Sequence, residues 1–288
     1  MLFIERCMKQ IVYILGGGRS GSTLLDIMLG NAEGVFSCGE LRRFSPHRGL
    51  SRPNEQRMES IQFWKRVSNR LDKILKEPER TNFEKLCHEI EYHSRFVTPW
   101  QLSKDKMEIY GRYINALMDL IFEESGANWI VDSSKYPGRL LALLKVSKYP
   151  VSVVYLTRHP VGVVQSFGRN DVEQPGKGFL AANYYYAVNG FLCNMAFHRL
   201  AADRRVKIRY EGLIRDPKKV LSTIGKRFGM DLETPVYLAV RRKPFQVGYL
   251  VDGNRVRLQR EILLRSNEQQ FGWGVGEVLT RILNRIWY

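Results

Sequence analysis

The sequence predicts an α/β fold, and three observations carry that prediction. Gln10–Leu25, QIVYILGGGRSGSTLL, reads as a short apolar and β-branched strand, a glycine-rich turn and the start of a helix. Further short strand-like runs at Asn128–Val131, Val151–Leu156 and Arg205–Arg209 are separated by segments with helical spacing of apolar residues. The chain has 288 residues, 44% of them hydrophobic, enough for the core of one large α/β domain or two small ones.

Strand, glycine turn and helix together make the geometry that grips phosphate. Glycines let backbone N–H groups converge on an anion, and the helix N-terminus adds its positive dipole end. The nearest general pattern is the P-loop, G-x-x-x-x-G-K-[ST]. Gly16 and Gly21 fit its glycines, but the Lys position is Ser22, followed by Thr23, and the cation has moved into the loop as Arg19. A nucleoside triphosphatase uses that Lys on its β- and γ-phosphates, so the turn suits a phosphate-like anion other than Mg·ATP. The competing reading is an ordinary turn with glycines for tight packing. A cation and hydroxyl side chains set among the glycines count against it.

GGGRSGSTLL resembles the 5′-phosphosulfate loop of sulfotransferases that use 3′-phosphoadenosine 5′-phosphosulfate (PAPS). Its Arg-Ser-Gly-Ser-Thr form is similar to the bacterial, carbohydrate and tyrosylprotein branches. The resemblance implies that Gly17, Gly18, Arg19, Ser20, Gly21, Ser22 and Thr23 hold the donor. It also implies a P-loop-type parallel sheet flanked by helices, as in nucleotide kinases.

Ala32–Cys38 reads as a second strand, followed directly by Gly39 and Glu40. A carboxylate after a strand lies at the sheet's C-terminal edge, where open α/β folds bind ligands. By spacing alone Glu40 could as well balance Arg42 and Arg43. The family carries a Gly-Glu at this distance, whose Glu is the catalytic base, and this implies that role for Glu40. Ser45–Arg57 reads as a mobile polar loop with Pro46, Gly49 and Pro53. Ile61–Leu75, Phe83–Tyr92 and Lys104–Glu124 have helical spacing. Residues 41–127 are therefore expected to form a helical insertion in a single 1–288 domain, shaping the acceptor pocket. His88, Glu89 and His93 fail the spacing of a zinc helix, HExxH.

The third strand runs into Asp132-Ser133-Ser134-Lys135. A lysine there can reach an anion at the first loop. The polar residues before it also read as caps for a helix with Pro137 in its first turn. The string resembles the segment whose Lys contacts the transferring sulfuryl group, which implies that role for Lys135. Val151–Leu156 leads into Thr157-Arg158-His159-Pro160 and a helix over Val161–Phe167. YLTRHPVGVVQSF resembles the family's 3′-phosphate site, which implies Arg158 and Ser166 as its ligands; Arg supplies a planar fork suited to phosphate oxygens. His159 is read as structural. Gly168–Phe179 reads as a polar loop and plausible lid, and Ala181–Arg204 as a long aromatic-rich helix.

Tyr210-Glu211-Gly212-Leu213 resembles the family's Tyr-Glu-Asp-Leu with Gly in place of Asp, which implies Tyr210 beside the adenine. Asp216 caps a helix over Pro217–Phe228. Gly253-Asn254-Arg255-Val256-Arg257 resembles the Gly-Asn-Pro-x-Arg loop, departing from it at Arg255, and implies Gly253, Asn254 and Arg257 as donor contacts. Gln259–Tyr288, with Trp273 and Trp287, reads as an amphipathic segment that packs on the domain or touches a membrane surface.

Net charge is +16, which favours anionic partners, but no basic arm or nucleic-acid motif accompanies it. Cys7, Cys38, Cys87 and Cys193 form no CxxC pair, so a zinc knuckle is unsupported and reduced cytoplasmic thiols are expected. No secretory signal or membrane span is expected. The resemblance implies sulfuryl transfer from PAPS to an acceptor hydroxyl on a small molecule, lipid, glycan or peptide, leaving PAP, with no metal. The alternatives are a phosphotransferase or NTPase on the same fold, and an inactive PAP-binding protein.

Overall fold

The structure, a computed structural model, describes residues 8–44, 57–75, 79–91, 103–168, 176–264, 271–272, 274–285 and 288. The expected loop at 45–56, most of the expected lid (169–175), His93, Trp273 and Trp287 lie outside the described residues.

The centre is a parallel sheet. β1 (Gln10–Gly16) pairs with β3 (Trp129–Lys135) on one side and β4 (Val151–Thr157) on the other. β2 (Val35–Ser37) and β5 (Arg205–Arg209) complete the order β2-β3-β1-β4-β5, every neighbour parallel. Both faces are covered, which is why β1 and β4 read as nearly continuous apolar runs. Their residues alternate between two cores: Ile11, Tyr13, Leu15, Val153 and Tyr155 enter one, Val12, Ile14, Val154 and Leu156 the other.

On the first face pack α2 (Met58–Ile74), α3 (Glu79–Glu91), α4 (Lys104–Ser125), α5 (Pro137–Val146) and the later part of α7 (Phe179–Phe197). Trp64, Tyr110 and Phe122 are fully buried there. A buried charge cluster ties this layer to the sheet. Arg139 on α5 donates from Nη1 to Glu91 on α3, and from Nε to Asp132 on β3 at 2.9 Å; the Tyr110 hydroxyl adds a bond to Glu91 at 2.8 Å. The opposite face takes α1 (Ser22–Leu29), α9 (Pro217–Phe228) and α10 (Glu233–Val240). The remaining helices are α6 (Pro160–Phe167), the one-turn α8 (Tyr210–Arg215) and α11 (Val275–Asn284), and β6 (Phe245–Gln246) pairs antiparallel with β7 (Glu261–Ile262).

Four expectations need correction. β2 begins at Val35 rather than Ala32, because Ala32–Gly34 form a turn out of α1, with Gly34 at φ 68° and Val35 N–H bonded to Ala32 O at 3.3 Å. β3 runs through the polar residues to Lys135, because their groups are satisfied internally: Ser134 N–H bonds Asp132 Oδ1 at 2.9 Å. The Asp132–Ser134 capping role is therefore absent; Tyr136 occupies the N-cap of α5 without a side-chain cap, and Pro137 opens the helix. The long helix stops at Phe197 instead of Arg204, and a separate 3-10 turn at Ala202–Arg204 leads the chain into β5. Asp216 does cap α9, accepting from Lys219 N–H at 3.0 Å.

Cys38, Cys87 and Cys193 are free and buried. Among the described residues no helix is long and apolar enough to cross a membrane. α11 is inverted: its polar Thr280 and Asn284 are buried, Asn284 donating to Asn183 at 2.8 Å, while Val275, Leu279, Ile282 and Leu283 face solvent.

Candidate active site

The strands end at a cleft of about 720 Å³, and the loops after β1, β2, β3 and β4 supply its polar wall. Arg19, Gly21, Ser22 and Thr23 come from the first loop, Glu40 from beyond β2, Lys135 from the end of β3, and Arg158 from just beyond β4. Ser166 on α6, Tyr210 at the head of α8, and Gly253 and Asn254 also line it. Residues as far apart in sequence as Thr23 and Asn254, 231 positions, thus meet, because the segments that carry them lie at or cross over the ends of parallel strands.

Two of the cations share an unusual backbone. Arg19 and Lys135 have φ of 65° and 74°, left-handed values that non-glycine residues seldom adopt and that gather at functional sites. Lys135 also follows a register shift in the β1–β3 pairing, one extra residue on β3 between the partners of Tyr13 and Leu15. A bulge of this kind re-aims a side chain at a sheet's edge. Lys135 Nζ lies 2.5 Å from Glu40 Oε1, and both side chains are about nine-tenths buried, at 8% and 10% exposure.

Arg158 holds the loop as well as facing the cleft. Its Nη1 donates to the Arg19 carbonyl at 2.9 Å, and its guanidinium lies 4.6 Å from the centre of the Tyr210 ring. Tyr210 in turn explains Gly21: at φ 93°, any Cβ there would stand 2.4 Å from that ring. The segment 250–254 crosses the loops from above. Val251 N–H bonds Cys38 O at 2.8 Å, Glu40 N–H bonds Asp252 O at 3.1 Å, and Asn254 N–H bonds Thr23 Oγ1 at 3.1 Å. Gly39, at φ 73°, is pressed so close to Asp252 that a Cβ would lie 2.4 Å from its carbonyl oxygen.

Some expected residues sit elsewhere. Gly17, Gly18 and Ser20 border a hollow of about 20 Å³ beside α7, and Gly18 N–H is donated to the Tyr185 hydroxyl at 2.9 Å. Arg257 is buried outside the cleft lining, its Nη2 3.6 Å from Asp252 Oδ1. Arg43 lines the cleft, whereas no described residue of 57–127 does. His159 also stays outside: its ring stacks on Phe271 at 4.4 Å, Tyr288 stands edge-on at 5.1 Å, and its backbone N–H donates to Glu211 Oε1 at 2.8 Å. Burial pulls the imidazole pKa down, against the opposing pull of Glu211.

Asp26 was missed by motif reasoning. It is fully buried in α1 and accepts from Ser37 Oγ at 2.5 Å, Gly39 N–H at 2.9 Å and Ser133 Oγ at 2.6 Å. The signal was present, a carboxylate in the otherwise apolar run Leu24-Leu25-Asp26-Ile27-Met28-Leu29. Burial raises its pKa to about 7; the bonds from Ser133, Ser37 and Gly39 oppose the rise and the nearby Asp132 adds to it. Among the described residues no group of three or more His, Cys, Asp or Glu could hold a metal ion.

The cleft lining combines the cations Arg19, Lys135 and Arg158 with the apolar side chains of Ile214, Ile262 and Leu264 and the Tyr210 ring. A parallel sheet with a glycine-rich turn between its central strand and the following helix, opening on such a cleft, is a P-loop-like α/β fold. The model of the sulfotransferase family matches residues 11–234, and the chain belongs to that family. No curated protein matches it in sequence. Among solved structures, it is similar to the sulfotransferase domain from the Synechococcus PCC 7002 olefin synthase, with a TM-score of 0.53 at 19% identity over 98% of this chain and 95% of that one. It is also similar to the sulfotransferase domain from the curacin biosynthetic pathway, with a TM-score of 0.51 at 19% identity over 96% of this chain and 97% of that one. At such identity the likeness bears on the fold.

Proposed function

We propose that this sulfotransferase moves the sulfuryl group of PAPS to an acceptor hydroxyl and releases PAP. The observation that carries the reading is the Lys135–Glu40 pair, 2.5 Å apart on the wall of a cleft that Arg19 and Arg158 also line. The cleft suits such a donor. Arg19, Lys135 and Arg158 line it with positive charge for the phosphate and sulfate groups, and Tyr210, Ile214 and Ile262 line it with aromatic and aliphatic surface for a base. In this reading Arg158 and Ser166 take the 3′-phosphate, the first loop with Arg19 takes the 5′-phosphosulfate, and Tyr210, Gly253 and Asn254 border the nucleoside. Arg257 supports that border from behind through Asp252. Gly17, Gly18 and Ser20 shape the back of the loop.

Glu40 takes the proton of the acceptor hydroxyl as its oxygen forms the new S–O bond. The bond from sulfur to the bridging 5′-phosphate oxygen breaks, and its electron pair leaves on PAP. Arg19 and Lys135 stabilise the charge that accumulates on that oxygen, so the step asks nothing of a metal. The acceptor is a hydroxyl-bearing small molecule, lipid, glycan or peptide. The solvent-facing apolar stripe of α11 supports a peripheral membrane contact in the lipid case, and the buried thiols suit a reducing, cytoplasmic setting.

The test is a thermal-shift titration with PAP, adenosine 5′-phosphate and Mg·ATP. A ligand bound only by the folded state stabilises it by about 3 kcal/mol at a hundredfold excess over its Kd. The expected result is a shift with PAP that is lost in Arg158→Ala, followed by release of PAP from PAPS when acceptors are screened. A shift with Mg·ATP and none with PAP sinks the reading in favour of phosphoryl transfer. PAP binding with no turnover, unchanged by Glu40→Gln, leaves a binding protein.

A further inference from the structure

Asp26 has no place in the chemistry above, yet it touches the supports of both residues in the central pair. Its carboxylate lies beneath the cleft, fully buried, and does not line it. One oxygen, Oδ2, receives both the N–H of Gly39, the residue before Glu40, and the hydroxyl of Ser133, two residues before Lys135. Oδ1 receives Ser37, the last residue of β2. A backbone bond from Ser133 N–H to Gly39 O, at 2.9 Å, closes the link between the two segments.

The Lys135 segment in particular needs such a clamp. Lys135 sits at φ 74°, and the register shift of β3 falls between Asp132 and Lys135. Strained backbone of this kind persists where surrounding contacts over-determine it, whereas Gly39 adopts its φ of 73° without strain and offers its N–H to the clamp. The clamp is carried by α1, the helix that begins at Ser22 and Thr23 of the anion loop. Donor loop, Glu40 support and Lys135 support therefore meet at one carboxyl group.

We infer that Asp26 is a positioning residue for group transfer: by accepting from Gly39 and Ser133 at once, it sets the spacing and aim of Glu40 and Lys135. The inference rests on the roles proposed above for those two residues. It is a claim about hydrogen-bond acceptance rather than charge. The three donors to Asp26 are two hydroxyls and a backbone N–H, none of them charged, and the titratable groups that act with it are Asp132 and the Cys38 thiol. An asparagine reproduces the geometry, its Oδ1 accepting from Gly39 and Ser133 while its Nδ2 donates to Ser37 Oγ.

The experiment uses the full chain and two readouts. The first is the yield of the zero-length carbodiimide cross-link between Glu40 and Lys135, measured by peptide mass spectrometry, which needs no acceptor and no assumption about the reaction. The second is conversion of PAPS to PAP with water as acceptor. Folding is checked by circular dichroism and by the PAP thermal shift. Asp26→Ala should lose cross-link yield and turnover by about tenfold or more, since misplacement of reacting groups by about 1 Å costs up to about a hundredfold. Asp26→Asn should stay within about threefold of the parent in both readouts. Ser133→Ala, which removes one donor and keeps the carboxylate, should fall between them and decides the matter where Asp26→Ala does not fold.

A folded Asp26→Ala with parental cross-linking overturns the inference, as does Asp26→Asn falling as far as Asp26→Ala, or Ser133→Ala matching the parent where Asp26→Ala cannot be read. Loss of the cross-link in a chain that neither turns over PAPS nor binds PAP keeps the positioning role and rejects the sulfotransfer assignment, so the two failures are distinguishable.

Discussion

The end of β3 takes part in two buried ion clusters. Lys135 meets Glu40 on the wall of the cleft, with side-chain exposures of 8% and 10%. Asp132, three residues earlier, meets Arg139 inside the first core, and Arg139 also meets Glu91; these side chains are at most 2% exposed. In the inner cluster every identified partner is another protein group. Burial pulls the Arg139 pKa down, but Asp132 and Glu91 more than reverse this, so the guanidinium keeps its proton more firmly than in water. The outer pair has protein on one side and the cleft on the other, so its members can trade a partner for a substrate. Access, rather than the strength of the pairing, separates a brace from a candidate catalytic pair.

The largest effect expected from this contrast is on the inner cluster. Arg139→Leu leaves Glu91 and Asp132 buried without their cation, which costs about 3–5 kcal/mol, a large share of the stability of an ordinary domain. Chemical denaturation should show the midpoint falling steeply, while whatever protein stays folded keeps its affinity for PAP. A parental midpoint would mean that the cluster is dispensable and the contrast false.

The outer pair should respond in the opposite way. In Glu40→Gln the amide oxygen still accepts from Lys135 Nζ, so stability should change by no more than about 1 kcal/mol. The proposed proton acceptor is gone, however, and turnover of PAPS with a hydroxyl acceptor should fall by about 10²–10⁴-fold with PAP affinity intact. A variant that unfolds instead of losing rate would make the outer pair another brace.

The same contrast explains what could be read in advance. The outer group was legible because its members lie at or shortly beyond the ends of strands, and parallel topology brings those ends to one edge. Gly21, Ser22 and Thr23 were singled out by the glycine pattern, and Glu40, Lys135 and Arg158 by their place at strand ends together with the family resemblance. The inner cluster was not, because Glu91 and Arg139 are 48 residues apart and only the docking of α3 against α5 brings them together. The polar stretch Asp132–Ser134 read as a helix cap for a related reason: sequence shows polar residues after a strand but not that each finds a buried partner. The directions of individual N–H groups were equally hidden. Nothing in GGGRSG tells that Gly18 turns toward Tyr185, and nothing in GNRVR that Arg257 turns toward Asp252.

Asp26 supplies the smallest effect and sharpens the comparison as a fourth buried carboxylate beside Glu40, Glu91 and Asp132. Asp132 has Arg139 and Glu40 has Lys135, whereas the bonds to Asp26 come from hydroxyls and an amide. Its pKa accordingly stands at about 7, above the ordinary 3.8. An acid whose pKa is raised by folding binds its proton more tightly folded than unfolded, so its contribution to stability is fullest below the unfolded value and declines as pH rises toward the folded one. Asp26 should therefore lower the stability of the parent progressively from about pH 4 to about pH 7, with no further loss above that. Asp26→Asn cannot ionise and should lack this component, so the difference between the two denaturation curves should change across the window and level off beyond it. A difference that stays constant with pH would show that Asp26 is ionised throughout, its carboxylate stabilised by the three donors as fully as Asp132 is by Arg139. A lone buried carboxylate would then behave like a paired one, and access to the cleft would be the only property left to set the outer pair apart.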